Sequence, residues 1–251
     1  MRGFRSEFTL RISNLTSEHL NGMAFVIQSE GVSAQGVGGG GLGYGDVNTP
    51  GVNKGIINSF AIEFDTHKDA DASGINALND PNDNHISLHS RGVGNANSAD
   101  ELYAIVNAST AINPLVGATT RVVVHFAPPT LAISVAPLTG PVFNLTNFDL
   151  SSLIALDSFG AAFVGFTAST GGASGESFEV LDWSYDYIGA PDALKCRVFG
   201  DGAVNAVAGE FAVAYLQLVD QFGNNYTTTA NVNATLATPS NQILIDYMSD
   251  G

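Results

Sequence analysis

The sequence predicts an all-β protein built as an antiparallel sandwich, and three observations lead to that fold class. Hydrophobic residues make up 45% of the 251 residues, which is enough for a buried core. Short segments with apolar residues at every second position recur along residues 1–190, as half-buried strands require. Gly, Pro, Asn and Asp separate these segments, and only "FDLSSLIALD" suits a turn or two of helix.

The strands follow one another in chain order. The first is "FTLRIS", in which Phe8, Leu10 and Ile12 share one face. The segment "SFAIEFD" has an apolar row on one strand face, and its opposite face ends in two carboxylates, Glu63 and Asp65. Later strands are predicted in "HISLHS", "TRVVVHF", "LAISVA", "AAFVGFTAS" and "FEVLDWSYDY". We expect His89 to be an ordinary strand or loop residue and Trp183 to belong to the core.

The charge balance excludes several classes of partner. The net charge is −15 and Lys and Arg together number only 9, which argues against nucleic acids and anionic membrane surfaces. No apolar run is long enough to span a bilayer, so we expect no membrane insertion. The single cysteine, Cys196, excludes an internal disulfide. An acidic chain of this kind is suited to bind cations or neutral ligands.

A stretch of carboxylates between residues 63 and 85 carries the clearest chemistry. Its letters are "EFDTHKDADASGINALNDPNDNH", in a chain of which only 13% of residues are charged. The strand period puts Glu63 and Asp65 on one face, with His67 next in the row. The following loop adds the side chains of Asp69, Asp80 and His85. This convergence of carboxylates is costly unless a cation neutralises it.

Two kinds of cation suit this donor set. Carboxylates with backbone carbonyls suit Ca²⁺, whereas carboxylates with one histidine suit a transition metal such as Mn²⁺. The segment "DADASGINALND" is close to an EF-hand loop, so an extra Ca²⁺ in loop 69–80 and an acidic insertion without a ligand both stay open. A solvated acidic loop is the plain alternative for the whole stretch.

This stretch resembles the metal loop of the L-type (legume-type) lectins, E-x-D-T-aromatic-x-N followed by D-P-x-x-x-H. Further segments resemble the family's motifs in the family's order, namely "NGMAF", "GGGGLGYG", "GAAFVGFTASTGG" and "FEVLDWSY". The resemblance covers about residues 1–188. It implies a jelly-roll (concanavalin-like) β-sandwich that binds carbohydrate beside paired Ca²⁺ and Mn²⁺ (or another transition metal), and that is not an enzyme.

The resemblance also implies particular ligands. The transition metal would be held by Glu63, Asp65, Asp80 and His85. Calcium would be held by Asp65, the His67 carbonyl, Asp69 and Asp80. Carbohydrate would be bound by Asn21, Gly39, Gly40, His67, Asp69 and Ser174.

The implied carbohydrate site departs from the family at two positions. The family has an aspartate where this chain has Asn21, and an asparagine where it has Asp69. The amide and the carboxylate have therefore exchanged places, and the pair keeps the same total of donors and acceptors. His67 stands where the family often has an aromatic ring that stacks on the sugar. Preserved binding, altered specificity and a lost site are all compatible with this exchange.

Three other functions compete for the same residues. Gly36, Gly38 and Gly41 satisfy G-x-G-x-x-G, but no helix follows, which excludes a dinucleotide site. A jelly-roll glycoside hydrolase needs a further carboxylate across the bond that it cleaves, and the nearest, Asp69, is better explained as a calcium ligand. The leading alternative is a structural or interaction β-sandwich that keeps the metals and has lost sugar binding.

The remaining chain predicts a second domain. Residues 189–193 suit a linker, and residues 194–251 resemble a partial filamin-type immunoglobulin-like repeat, "CRVFGDGAVNAVAGEFAVAYLQLVDQFGNN". The lectin family has further strands before "GFRSEFTLRIS", so we expect a fragment of a longer gene product. These features together favour a secreted or extracellular adhesin or receptor, with glycans or glycoproteins as partners, and they are compatible with a homo-oligomer.

Overall fold

The computed structural model describes residues 3–14, 20–47, 54–69, 78–156, 161–170, 176–188, 197–199, 215–217, 232–237 and 242–247. The chain divides into two compact units, Met1–Tyr187 and Ile188–Gly251. Within the described residues every long element is a strand, and the helical content is three short 3-10 helices. The predicted all-β class is therefore confirmed. The helical turn predicted in "FDLSSLIALD" is one of these 3-10 helices, Leu150–Ser152.

The first unit is a sandwich of two antiparallel five-stranded sheets. In chain order its strands are β1 (Gly3–Asn14), β2 (Leu20–Gln28), β3 (Ser59–Asp65), β4 (His85–His89), β5 (Ala104–Ser109), β6 (Thr119–Ala127), β7 (Thr130–Val135), β8 (Pro141–Leu145), β9 (Phe163–Thr170) and β10 (Glu176–Ile188). The back sheet has the order β10-β1-β6-β7-β8 and the front sheet the order β5-β4-β3-β2-β9. Strands distant in sequence are thus neighbours in both sheets, as in the predicted jelly-roll sandwich.

The main core lies between the two sheets. Phe8 on β1 is fully buried, stacks on Phe25 with ring centroids 5.2 Å apart, and meets Phe64 edge-on at 6.1 Å. The predicted apolar rows of β1 and β3 both face this core. Each fully buried side chain of this size contributes about 1.5–3 kcal/mol through the hydrophobic effect.

The front sheet is also covered on its outer face, the face turned away from the back sheet. All seven residues of β3 are buried, although its outward row contains carboxylates. A second, smaller apolar cluster lies on this face, and it includes Ala24 and Ala61 from the strands with Leu42, Tyr44 and Leu78 from the covering loops. Loops therefore shield the carboxylates of β3 from water.

Trp183 lies on β10, at the edge of the back sheet. It is 45% exposed, so the prediction that it belongs to the core is wrong. An edge strand has a neighbouring strand on one side only, and this leaves one flank of the indole open. The ring packs edge-on against Phe166, and its Nε1 donates to Ser6 Oγ at 3.0 Å, so the polar end is satisfied.

The second unit contains short paired strands where it is described. Strand β11 (Arg197–Phe199) pairs antiparallel with β12 (Tyr215–Gln217), and β13 (Val232–Ala237) pairs antiparallel with β14 (Gln242–Tyr247). The predicted linker 189–193 lies outside the described residues. No helix in the described part of the chain is long and apolar enough to cross a membrane.

Candidate metal centre and carbohydrate site

The register of two strands assembles the centre on the outer face of the front sheet. Asp65 pairs with His85, Glu63 pairs with Ser87, and β4 ends at His89. Because side chains alternate along a strand, these residues share one face. Glu63 is 1% exposed and His85 is fully buried, so both side chains are shielded from solvent.

Four of the six predicted metal ligands, Glu63, Asp65, Asp80 and His85, lie in two groups of possible donors that share His85. Within each group the ligand atoms lie within 4.8 Å of one another. One group contains Asp65, Asp80 and His85. The other contains Glu63, His85 and Glu101.

Two members of the centre escaped the sequence analysis. Glu101 belongs to the 3-10 helix Glu101–Tyr103, and its backbone N–H donates to the Leu78 carbonyl at 2.8 Å, which fixes it beside the acidic loop. Glu101 lies far from the metal-loop motif in the sequence, so no residue spacing indicated that it belongs to the centre. His89 was expected to be an ordinary strand or loop residue; it does lie on a strand, but its ring is buried and its Nε2 is 3.3 Å from Glu63 Oε1. It lies four residues after His85 on the same strand, so the two-residue period of a strand predicts that both rings lie on the same face.

Four nitrogen and oxygen atoms face one another in this cluster. His85 Nε2 lies 3.4 Å from Glu63 Oε1 and 3.2 Å from Glu101 Oε1. His89 Nε2 lies 3.3 Å from Glu63 Oε1 and 3.6 Å from Glu101 Oε1. None of these four atoms makes a hydrogen bond of good geometry. We call these four residues the His–Glu cluster.

Outer contacts orient two members of the His–Glu cluster. The Tyr44 hydroxyl donates to Glu63 Oε2 at 2.6 Å, and both residues are buried. His85 Nδ1 lies 3.0 Å from the Asn82 carbonyl, to which it donates when protonated. That contact leaves Nε2 to face the carboxylates. Metal-binding histidines and carboxylates have outer contacts of this kind in most metal sites.

The close packing of charged groups shifts the pKa values of the His–Glu cluster. Burial by itself lowers the pKa of His85, but contacts with Glu101 and Glu63 outweigh it and raise the pKa to about 11. Burial also lowers the pKa of His89, but the negative charge of Glu63 outweighs it and raises this pKa to about 10. Burial raises the pKa of Glu63, but the charges and contacts of His89 and His85 reverse this and hold it well below its usual range.

The two aspartates beside the cluster, Asp65 and Asp80, have raised pKa values. Burial raises the pKa of Asp80 to about 7, although a hydrogen bond from the Asp69 backbone opposes the shift. Burial and then the charge of Glu63 raise the pKa of Asp65 well above its usual range. Ionised carboxylates are therefore unfavourable here without a compensating positive charge.

Backbone contacts shape the oxygen-rich half of the centre. Asp65 Oδ1 accepts from the His67 N–H at 2.6 Å, and Asp80 Oδ2 accepts from the Asp69 N–H at 2.6 Å. The second oxygen of Asp80, Oδ1, is buried and has no hydrogen-bond partner. Buried oxygen and imidazole donors that lack partners are the chemistry that a divalent cation satisfies, so the residues present fit such an ion.

The acidic insertion is described only at its ends. Leu78 N–H donates to the Asp69 carbonyl at 2.9 Å, which closes the loop. Residues 70–77 lie outside the described residues, and so does the middle of the predicted EF-hand-like segment. The extra Ca²⁺ in loop 69–80 therefore stays a prediction.

Four of the predicted carbohydrate residues meet at one end of the front sheet. The Asn21 carbonyl accepts from Thr66 N at 2.8 Å and from Thr66 Oγ1 at 3.0 Å, which ties β2 to the metal loop. A Cβ on Gly39 would lie 4.0 Å from Asn21 Nδ2, and one on Gly40 would collide with the Asp69 carboxylate. Glycine at position 40 therefore permits the close approach of this loop to Asp69, whereas the space at Gly39 would admit a Cβ beside Asn21.

The other predicted carbohydrate residues are placed less completely. His67 Nε2 lies 3.5 Å from Asp69 Oδ1, and its side chain is partly exposed. The Gly39 N–H, which the resemblance assigns to the ligand, donates to Ser169 Oγ at 2.6 Å. Ser174 lies outside the described residues.

Comparison with known proteins assigns the chain to a family. The sequence profile of the legume lectin domain matches residues 1–197, and the chain belongs to this family. No curated protein matches the sequence. The first unit is therefore a legume lectin-type carbohydrate-binding domain, not an enzyme.

Solved lectin structures share the fold. Peanut lectin with a nine-residue peptide has 22% sequence identity and a TM-score of 0.52, covering 74% of this chain and 72% of that one. The winged bean acidic lectin complexed with methyl-α-D-galactose has 23% identity and a TM-score of 0.53, covering 74% and 71%. The exoplasmic/lumenal domain of VIP36, in its Ca²⁺- and mannose-bound form, has 10% identity and a TM-score of 0.50, covering 77% and 71%. The predicted sandwich is thus confirmed.

Proposed function

We propose that the first unit binds glycans in a manner that depends on Ca²⁺ and a transition metal such as Mn²⁺. One observation carries this proposal, namely the buried carboxylate and imidazole donors on the outer face of the front sheet, where Asp80 accepts from the backbone of Asp69 and the Asp69 carboxylate lies against Gly40. A cation would neutralise these donors and hold the loop in place. Metal binding and sugar binding are then one structural unit.

The metal ligands follow the two groups of donors. We propose that Ca²⁺ is held by Asp65, the His67 carbonyl, Asp69 and Asp80. For the transition metal, the family likeness favours Glu63, Asp65, Asp80 and His85. The bound ions would supply positive charge, and this chain's own part is to supply the ligands and to keep water out.

The carbohydrate contacts are proposed for the surface loops. Asn21 offers an amide that both donates and accepts, and Asp69 offers a carboxylate that accepts from sugar hydroxyls. The backbone N–H groups of Gly39 and Gly40 and the ring of His67 would contribute further contacts. Ser174 belongs to the loop that we propose sets the choice of monosaccharide.

The setting of the domain is also a proposal. The VIP36 domain is lumenal and Ca²⁺- and mannose-bound, and the winged bean lectin is complexed with a galactoside. By this likeness we propose a secreted or extracellular protein with glycan or glycoprotein partners, in an adhesin or receptor. The second unit would then be a filamin-type immunoglobulin-like spacer, and homo-oligomers are compatible with this function.

One observation favours a second candidate, a sandwich that has lost sugar binding. The Gly39 N–H already donates to Ser169 Oγ at 2.6 Å, so one expected ligand contact is used within the protein. The exchange of amide and carboxylate at residues 21 and 69 points the same way. In this alternative the metals would only stabilise the loops.

A glycan array separates the two functions. The protein is applied with Ca²⁺ and Mn²⁺, with EDTA, and with EDTA followed by excess Ca²⁺ and Mn²⁺. We expect glycan binding that EDTA abolishes and the ions restore, and that Asn21→Ala removes. The matched control is Asn107→Ala, at an exposed asparagine on β5, and it should bind like the wild type. Absence of binding under every condition would support the structural alternative.

A further inference from the structure

We propose that Asn107 and Asn144 are sites of N-linked glycosylation. Each begins a sequon, "NAS" at residues 107–109 and "NLT" at residues 144–146, which is the acceptor pattern Asn-X-Ser/Thr without proline in the middle. The modification requires the secreted setting that is part of the proposed function, because only a chain that enters the secretory pathway meets the glycosylating enzymes. It does not require that the protein itself binds a glycan or a metal.

Asn107 lies in a bulge of the edge strand β5. Between its pairs with Leu88 and Ile86 of β4, strand β5 has one residue more than its neighbour. A bulge of this kind bends the strand and leaves the extra residue outside the hydrogen-bond ladder. Strand β5 is also the outermost strand of the front sheet, so only β4 flanks it. Asn107 is the one exposed residue of β5, and its amide is therefore accessible from solvent.

Asn144 lies on β8, the outermost strand of the back sheet. Its neighbour Phe143 is buried in the core between the sheets, and the alternation of side chains turns Asn144 to the outer face, where it is exposed. The pairing of Asn144 with Ala132 on β7 holds its backbone in place. Thr146, the hydroxyl residue of this sequon, is exposed as well. Both ends of the acceptor pattern thus lie at the surface.

The fold does not use the two acceptor amides. Asn97, which is fully buried and begins no sequon, shows the contrast, because its Nδ2 donates to Ser59 Oγ at 3.0 Å. The side chains of Asn107 and Asn144 make no hydrogen bond to any residue that the structure describes. A sugar on either Nδ2 therefore costs the fold no such contact.

Both sites lie on the same side of the sandwich. On the other side β10 packs against β9, where the rings of Trp183 and Phe166 meet with centroids 5.2 Å apart. The opposite ends of the two sheets are β8 and β5. Open edges invite pairing with a strand of another chain, and natural proteins protect them with bulges, charges or covering groups. A glycan is bulky and solubilising, so one on each of these strands would protect both edges.

The modification is a group transfer from a sugar donor. The Nδ2 of the asparagine attacks the anomeric carbon of an oligosaccharide that is carried on a lipid diphosphate. A C–N bond forms, the C–O bond to the diphosphate breaks, and the lipid diphosphate leaves with the electron pair of that bond. The amide nitrogen loses one proton to solvent. The hydroxyl of Ser109 or Thr146 is the second part of the acceptor pattern, so it can be tested separately from the asparagine.

The test maps glycans on the secreted chain. The full chain is expressed behind a cleavable secretory leader in a eukaryotic cell, and its N-glycans are removed in heavy-oxygen water by an amidase that leaves a labelled aspartate. We expect peptide mass spectrometry to find the label at Asn107 and at Asn144. Asn107→Gln and Thr146→Ala should each remove one glycan, whereas Thr146→Ser should keep it. Asn113→Gln, at an exposed asparagine outside any sequon, is the control and should keep both glycans.

The outcomes separate these sites from the proposed function. The glycan array is run on unmodified protein from bacteria, so glycan binding there without label at residues 107 and 144 would overturn the sites alone. Label at both residues without binding on the array would uphold the sites and contradict the proposed function. Label that appears equally without the amidase would be spontaneous deamidation and would overturn the sites. The mapping on the wild type needs no variant, and neither asparagine belongs to the proposed carbohydrate site, so Asn107→Ala stays a control on the array.

Discussion

Strand β3 is buried on both faces, and the two faces differ in what they contact. On the inner face Phe60, Ile62 and Phe64 pack into the core between the sheets. On the outer face Glu63 and Asp65 lie beneath loops, next to histidines and further carboxylates. The same seven residues thus contribute to an apolar core and to a polar centre.

The two faces stabilise the protein by different means. The inner face gains free energy simply by leaving water, in proportion to the apolar area that it buries. On the outer face the charged groups lose their hydration, which costs free energy. Only partners of opposite charge offset that cost. The inner face is therefore complete within the fold, whereas the outer face depends on what it binds.

The largest expected effect breaks the inner face. Phe64 is fully buried and meets Phe8 edge-on, so Phe64→Ala leaves a cavity between the sheets. We expect the free energy of unfolding to fall by about 3–5 kcal/mol. Urea denaturation measures it, with Val180→Ala on the exposed edge strand β10 as the control. If both variants lose equal stability, the packing of the inner face is not what stabilises the sandwich.

The next effect concerns pH and separates the two faces. The pKa of Asp80 is about 7 against an ordinary value of 3.8, so between about pH 5 and 7 the folded, metal-free protein holds more protons than the unfolded chain. Its stability should therefore fall as pH rises through this window, and the raised pKa of Asp65 acts in the same direction.

Bound cations should reverse this trend. They require ionised Asp80 and an unprotonated His85 nitrogen, so protons compete with them and the metal-loaded protein should lose its ions, and stability, as pH falls. Melting temperatures between pH 5 and 7, in EDTA and in excess Ca²⁺ and Mn²⁺, measure both slopes. Slopes of the same sign would show that the centre does not bind cations in this way.

A smaller effect tests the outer contacts of the centre. Tyr44→Phe removes the hydroxyl that donates to Glu63 at 2.6 Å and keeps the buried ring. We expect transition-metal affinity to fall by about 10–100-fold, with little change in calcium affinity. Calorimetric titration of both ions measures this, and Tyr103→Phe, at an exposed tyrosine, is the control. Equal metal affinities in wild type and variant would show that Tyr44 only fills space.

The smallest expected effect concerns the exchanged pair at the surface. If Asn21 and Asp69 contact one sugar, Asn21→Asp alone should help little, because it places two carboxylates together. The double change Asn21→Asp with Asp69→Asn should restore or strengthen monosaccharide binding, with a coupling of about 1 kcal/mol in a double-mutant cycle. Strictly additive changes would mean that the two residues do not share a ligand.

The sequence predicted the inner face better than the outer one, for a physical reason. Alternation is local, so the rows of Phe8 and Phe64 follow from neighbouring letters. Asp80 and His85 were found because a motif spaces them near Glu63. Glu101 reaches the centre through a backbone contact to Leu78, which no spacing encodes. Trp183 was misplaced because alternation does not show which strand lies at the edge of a sheet.

The measurement that tests the dependence of the outer face on cations most directly is the thermal stability of the chelated protein as Ca²⁺ is added. A cation that binds only the folded state stabilises it, by about 2.7 kcal/mol at a concentration of 100 Kd. We expect the melting temperature of the wild type to rise by several degrees and that of Asp80→Ala to stay constant, because Asp80 has a buried, unpartnered oxygen in the centre. An unchanged melting temperature in the wild type, or equal rises in both proteins, would contradict a calcium site built on Asp80.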